Sequence, residues 1–511
     1  MTAADFWTEL QAAYENDLVT MSETEKAGDD LFVMINAAHP EFAIGISTGD
    51  SAANIAGIQK TGDYSLRISM DSFDATSIYQ LSLAVAPLHY YGDKAAYDYD
   101  NNQFGFTKGD LSKVKSVTTK PLGAGPYVFE SYENGVVTFS ANPNYYKGQP
   151  QIETVLFKET PDTDKLTGVA SGTFDVSDPS MSLAVLGNIK DYNSNKEIIG
   201  DVITTNLVDN LGYGYIGISA NNVKVGNDKA SEESKNLRKA FATIFAVYRD
   251  TVINSYYGEM AAIIQYPISN TSWAAPKPAD EGYQLAYSKD AEGNALYTAD
   301  MTDEQKYEAA LKGAISLFKA AGYTFDEATG KFTAAPEGAA LTYEIIIPAD
   351  GTGDHPAYGI LTAAKEALAT IGITLEINDP SDSNVLWDAL DADTADMWTA
   401  AWDATVDPDM YQIYHSSNAN GNGTTSNHYS IESAELDELI MAARNSADRS
   451  YRKATYKECL DIIMDWGVEI PTYQRQNAIV FSTQRVNMDT VTPDITTFWR
   501  WMNDIEKLEM N

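Results

Sequence analysis

Between Leu341 and Trp402 the chain alternates two hydrophobic periods, and that alternation restricts the fold more than any other stretch does. Leu341–Ile347 reads as a strand. Pro356–Ile371 reads as a helix, with Leu361, Ala364, Leu368 and Ile371 on one face. Ile373–Ile377 returns to the strand pattern, Asn384–Leu390 is a short helix, and Ala395–Trp402 is a third strand. Strands joined by helical crossovers must pair in parallel, and such crossovers are right-handed. An α/β fold follows, and in open α/β sheets ligands lie beyond the carboxyl ends of the strands.

The loop at that end of the third strand is Trp402-Asp-Ala-Thr-Val-Asp-Pro-Asp-Met-Tyr411. Trp and Tyr offer flat stacking area at low entropy cost, and a carboxylate can hold an ammonium through charge-assisted hydrogen bonds. A plainer reading stands beside this one: Asp407-Pro408-Asp409 as a turn, and Trp402 as core.

The rest of the chain is a series of strand-rich and helix-rich blocks. Before Lys120, Phe42–Ser47 and Tyr64–Met70 look like strands and Asp74–Ala86 like a helix, while the polar run from Asp93 to Lys120 reads as a loop. Tyr127–Tyr132 and Val136–Ala141 alternate as strands around a Glu-Asn-Gly hairpin turn. Strands dominate from Pro121 to Asn221, with one helix in Asp162–Gly172. Ser231–Gly258 is helical, opened by a Ser-rich cap and closed by Gly258. Thr302 and Gln305 form a capping box before Leu311, Ala314, Ile315 and Phe318, and Gly322 ends that helix. Helices at Ser433–Ser446 and Tyr451–Met464 precede two strands, Glu469–Tyr473 and Ala478–Ser482.

Composition excludes some functions. A formal charge of −38 over 511 residues would repel a phosphate backbone, so nucleic-acid binding is excluded. The single cysteine, Cys459, cannot form an intramolecular disulfide and falls in a helical pattern. No segment approaches the roughly 18 apolar residues of a membrane span. No signal peptide is visible, and Met1 leads directly into a helical face of Trp7, Leu10, Ala13 and Tyr14.

Several motifs match catalytic or cofactor signatures by letters alone. Gly45-Ile-Ser-Thr-Gly49 has the spacing of a nucleophile elbow, which would make Ser47 a nucleophile, but no oxyanion segment accompanies it. Gly212-Tyr-Gly-Tyr-Ile-Gly217 has dinucleotide-loop spacing within a strand pattern, where no helix opens. Asp98, Asp100 and Asn102 have calcium-loop spacing, yet Gln103 and Gly109 replace the obligatory glycine and glutamate. The five histidines form no i, i+4 pair, so no metal site or cofactor is expected.

The most distinctive residues are Pro121-Leu-Gly-Ala-Gly-Pro-Tyr127 followed by Asn142-Pro-Asn-Tyr-Tyr-Lys-Gly-Gln-Pro150. This segment resembles the signature region of the extracytoplasmic solute-binding proteins of peptide-type ABC importers, family 5. Ser171, Gly172 and Asp175 fit that family's "sGxxD" turn. Arg238, Ala240, Arg249 and Gly258 fit its paired helices, and Trp402…Asp407-Pro408 resembles its ligand-loop phrase. Thr2–Phe6 resembles the tail of a phrase that relatives carry deep inside their chains, which implies an upstream segment and anchor beyond this sequence.

The resemblance implies a two-lobed α/β receptor of the periplasmic-binding-protein type, with a type II-like cleft and a side domain. Residues 1–120 would be the partial side domain. Residues 121–220 and 471–511 would form lobe I, and 221–470 the opposing lobe. The receptor would be a monomer that hands an oligopeptide to a membrane permease, without catalysis. Ligand contacts are expected from Trp402, Asp403, Thr405, Asp407 and Tyr411, with Trp398, Tyr213, Tyr215 and Trp273. Relatives that bind peptides place an Asp three positions after the Trp to pair with the α-amine; here Thr405 stands there. Either Asp403 or Asp407 takes that role, or the ligand lacks a free amine. Oligosaccharides and nickel complexes remain open as ligands, as does a fold that binds nothing. The competing class is a secreted hydrolase using Ser47.

Overall fold

The computed structural model describes residues 57–81, 86–101, 103–107, 110–349, 351–419 and 426–511. The readings placed before residue 57, including the strand at 42–47 and the Ser47 elbow, lie outside the described residues. Two compact units emerge. The first takes in the described residues of Met1–Ser72 and Leu83–Glu159, the second those of Phe73–Ser82 and Thr160–Asn511.

In the first unit, β1 (Ile58–Gly62) and β2 (Ser65–Ile68) form an antiparallel hairpin, and β3 (Tyr97–Asp98) pairs with β4 (Gln103–Phe104). The run read as a loop from Asp93 to Lys120 contains a short helix, Ser112–Val117. Asp110 accepts from the Ser112 amide at the helix start, a local turn within a polar stretch that shows no apolar stripe. β5 (Tyr127–Glu133), β6 (Val136–Ala141) and β7 (Thr154–Lys158) form a three-stranded antiparallel sheet. Its first turn holds Asn134 and Gly135 at φ 52° and 74°, the left-handed pair a tight hairpin needs. Asn142 ties the Pro121–Tyr127 turn down. Its amide donates to the Pro126 carbonyl at 2.9 Å, and its Nδ2 donates to the Gly125 carbonyl at 2.9 Å.

The second unit is organised on one mixed sheet. Its strands are β8 (Val176–Ser177), β9 (Ile203–Asp209), β10 (Tyr213–Ile218), β11 (Ala261–Ile263), β14 (Thr342–Ile346), β15 (Thr374–Asn378), β16 (Met397–Trp402) and β17 (Glu469–Ser482). A separate hairpin is made by β12 (Thr324–Asp326) and β13 (Lys331–Ala334). The order is β11-β17-β10-β16-β14-β15, with β8 and β9 also paired to β17. β14 lies parallel to both β15 and β16, as the βαβαβ pattern requires. The crossover helices are Tyr358–Thr370 and Asn384–Asp391.

Where two terminal strands were expected, the chain runs as one strand of 14 residues. The polar run Gln474-Arg475-Gln476-Asn477 reads as a break, but three of its four side chains are bonded to neighbouring segments. Gln474 Nε2 donates to the Asn210 carbonyl and to Ser269 Oγ, Gln476 Nε2 to Asp209 Oδ1, and Asn477 Nδ2 to Asn210 Oδ1. Along this strand the partners change. Glu469–Arg475 pair with β10 and β11, while Gln476–Ser482 pair with β9. A second element unmarked in the sequence is the helix Leu183–Tyr192, capped by Ser182.

Helices Glu232–Val247 and Asp303–Ala320 cover the sheet, the latter opened by the Thr302–Gln305 capping box. Phe241 meets the Phe318 and Tyr343 rings edge-on at 5.2 and 5.1 Å. Two buried arginines act as main-chain staples. Arg238 donates to the Trp466, Val223 and Lys229 carbonyls, and Arg249 to those of Ala246, Ile264 and Pro471. Each satisfies carbonyls that would otherwise be buried without a donor.

Candidate functional site

The carboxyl end of β16 gathers the candidate residues through strand pairing. Tyr213 opens β10 opposite Trp402, and Tyr215 lies two residues along, opposite Ala400. β10 is buried throughout, and its glycines make that possible. A Cβ on Gly217 would lie 2.3 Å from Trp398 Cε2, and one on Gly214 2.5 Å from Tyr473 Cε1. The Gly-Tyr-Gly-Tyr-Ile-Gly run therefore lets aromatic rings cross over the strand; it is not a phosphate loop.

The structure divides the nine expected contact residues into three groups. Asp403 and Thr405 are exposed on the loop after β16. Trp402, Tyr411 and Trp273 are half-buried. Trp398, Tyr213, Tyr215 and Asp407 are buried. The loop is braced from behind by arginines. Arg452 Nη2 pairs with Asp407 Oδ1 at 2.7 Å and reaches the Tyr456 hydroxyl at 3.0 Å. The Arg452 guanidinium also lies 5.3 Å from the Trp273 ring centre. Arg444 pairs with Asp74 at 2.9 Å, approaches Asp409 at 3.8 Å and lies over the Tyr411 ring at 4.5 Å. Thr405 Oγ1 donates to the Asp407 carbonyl at 2.6 Å. Asp407 is thus committed to Arg452, and Asp403 is the loop's exposed acid.

Behind the loop lies a group that sequence reasoning missed. Glu469 opens β17 and is fully buried. Tyr414 donates to Glu469 Oε2 at 2.7 Å. Tyr429, Tyr213 and Trp402 converge on the same carboxylate more loosely, and its Oε1 has no partner at full hydrogen-bond geometry. Trp402 Nε1 donates to the Tyr429 hydroxyl at 3.0 Å, and Tyr287 donates to the Glu469 carbonyl at 2.6 Å. The rings themselves stack. Tyr215 lies 5.4 Å from Trp402 with planes 6° apart, Trp398 lies 5.4 Å from Tyr429, and Tyr414 lies 5.7 Å from Tyr429.

Burial pushes the Glu469 carboxyl up to about 7, against the pull of the Tyr429, Tyr414 and Tyr213 hydroxyls and the Trp402 indole. Burial also raises the hydroxyls of Tyr213, Tyr414 and Tyr429 well above the phenol range, and the Glu469 charge adds to this. The one available signal in the sequence was an acid flanked by Val468 and Ile470 in an apolar strand.

The profile of the Bacterial extracellular solute-binding proteins, family 5 Middle, matches residues 1–424. Oligopeptide-binding protein AppA of Bacillus subtilis (strain 168) is 22% identical over 427 residues. The match covers 80% of this chain and 65% of that protein. The chain spans less than two thirds of the length of the curated relatives it matches. Among solved structures, lactococcal OppA complexed with an endogenous peptide in the closed conformation aligns with a TM-score of 0.63 at 16% identity, covering 90% of this chain and 77% of that one. NikZ from Campylobacter jejuni in complex with Ni(L-His) gives 0.61 at 16%, covering 93% and 82%. The α/β binding-protein fold read from the sequence is the fold of these structures. The chain belongs to the bacterial extracellular solute-binding proteins of family 5.

Proposed function

We propose that this chain is the extracytoplasmic substrate-binding component of an ABC importer, which captures oligopeptides and delivers them to a membrane permease without itself catalysing a reaction. The observation that carries the reading is the surface at the end of β16. There the exposed Asp403 and Thr405 adjoin the half-buried Trp402, in a chain whose relative over 427 residues is named an oligopeptide-binding protein. A carboxylate beside an indole suits a peptide amino terminus, through a charge-assisted hydrogen bond and ring contact. Trp273 and Tyr411 extend that surface. The buried Tyr213, Tyr215, Trp398 and Asp407 support it from behind.

The reading keeps lobes of about residues 121–220 with 471–511, and 221–470, and a side domain of about 1–120; the partner change along β17 supports a division of the second unit near residue 475, whereas residues 121–159 cluster with the first unit. The family description supports an extracellular or periplasmic location. The protein would act there as a monomer, held by an anchor.

The test is calorimetric titration of the purified chain with pools of random di- to nonapeptides, oligosaccharides and a Ni(L-His) complex. Heat from peptides that is lost in Asp403→Ala supports the reading. Heat only from sugars or the nickel complex retires it. The nickel arm is included because NikZ shares the fold and was solved with Ni(L-His). Ester turnover lost in Ser47→Ala would instead establish the hydrolase.

A further inference from the structure

We propose that Glu469 is a positioning residue for the ligand loop: its carboxylate anchors the ring cluster on which Trp402 rests, and its protonation state sets how firmly Trp402 is held. The geometry begins with convergence. Tyr414, on the helix Tyr411–Tyr414, donates to the carboxylate at 2.7 Å, and Tyr213 at the start of β10 and Tyr429 beyond that helix bring their hydroxyls towards the same group. Trp402 is tied to this group twice, by its Nε1 bond to the Tyr429 hydroxyl and by its stack on Tyr215. Trp402 immediately precedes the exposed Asp403. Glu469 is therefore two contacts from the surface where capture is placed.

Chemistry makes the arrangement sensitive to the proton. An ionised carboxylate only accepts, so the Tyr213, Tyr414 and Tyr429 hydroxyls can all point at it while Tyr429 accepts from the Trp402 N–H. A protonated one carries a donor of its own, and at least one neighbour must turn its hydroxyl to accept. In a buried network that reorientation spreads through every shared bond. The groups facing Glu469 are neutral phenols and an indole. Tyr287 from the loop after Tyr283 bonds only its backbone carbonyl. The buried guanidinium groups that reach the main chain beside it, Arg249 and Arg238, donate to the Pro471 and Trp466 carbonyls rather than to the carboxylate, and the buried Arg452 is paired with Asp407. With its carboxyl raised to about 7, the group changes charge near neutrality.

Two measurements need no ligand. The infrared carbonyl band of a protonated carboxylic acid should appear on acidification through neutrality and be missing in Glu469→Gln. The fluorescence difference between the native chain and Trp402→Phe should titrate with the same midpoint. The third measurement rests on the peptide-binding reading. A random pentapeptide pool should bind the native chain about fivefold more weakly at about pH 6 than at about pH 8, the change expected when a carboxyl at about 7 in the free protein falls by about one unit on binding. Glu469→Gln should bind with no such dependence, and Glu469→Asp should restore it.

If Glu469→Gln does not fold, Tyr429→Phe serves, because losing a donor to the anion should move the infrared midpoint upward. An infrared and fluorescence titration unchanged by Glu469→Gln, or a midpoint unmoved by Tyr429→Phe, overturns the proposal. So does a pH dependence of pool binding that persists in Glu469→Gln. Failure of the pool to bind at every pH retires the peptide reading, while the two ligand-free titrations still decide the role of Glu469.

Discussion

Arg452 Nη2 stands 2.7 Å from Asp407 Oδ1, and both side chains are withdrawn from solvent. The ion pair fixes the middle of the loop that follows β16, so removing one partner strands the other charge in a dry setting. Arg452→Ala should destabilise the protein by about 3–5 kcal/mol. Asp407→Asn should cost less, because the amide still offers Arg452 an acceptor. Chemical denaturation of both variants checks the order, and equal losses would contradict it.

Close backbone approach gives a second prediction. Gly217→Ala places a methyl 2.3 Å from the Trp398 ring, inside a strand with no room to yield, and should cost about 1–3 kcal/mol or more. Gly123→Ala lies in the Pro121–Tyr127 turn, where an added Cβ would meet nothing within 4 Å. It should shift stability by no more than about 0.5 kcal/mol. Thermal melts of the two variants side by side would show the contrast.

Acid sensitivity should carry a signature of His355. Burial lowers its imidazole to about 4, although Asp379 and Asp354 pull the other way. A base whose folded pKa is depressed favours the neutral fold. Its contribution is full above the unfolded value near 6.5 and is lost as pH falls towards 4. The loss should be roughly 2–3 kcal/mol. Urea unfolding at about pH 7.5 and about pH 4.5 should show His355→Asn losing less than the native chain on acidification. Parallel losses would contradict this.

Binding and stability should separate at Asp403. The side chain is exposed, so Asp403→Ala should leave the melting curve nearly unchanged. If it holds a peptide amino terminus, calorimetry should show a loss of about 1.5–3 kcal/mol in binding, tenfold or more. Blocking that terminus by acetylation should produce the same loss in the native chain and no further loss in the variant.

Local rules made much of the second unit legible from sequence. The capping box at Thr302, the helical stripe of Leu361, Ala364 and Leu368, and the alternating strands around them are each readable within a few residues. The Glu469 cluster is not. Residues 213, 402, 414, 429 and 469 meet only after the sheet has formed, and an acid inside a strand has no periodic mark to show that tyrosines will surround it. Tyr213 and Tyr215 illustrate the same limit. Their ring chemistry suits a ligand surface, yet pairing β10 between β16 and β17 buries both. The continuity of β17 was hidden for a related reason. A run of four polar residues ends a strand when its side chains face water, and here those of Gln474, Gln476 and Asn477 bond to Asn210, Asp209 and Ser269.

That strand has a thermodynamic consequence. The small core around Leu166, Val169, Ile189 and Val480 shares β17 with the large core that contains Ile470 and Tyr473. Each core holds one half of the strand, so the opening of either pulls on the end that the other holds. Amide exchange along Glu469–Ser482 should therefore proceed as one cooperative opening, slow from end to end, even though its two halves serve different cores.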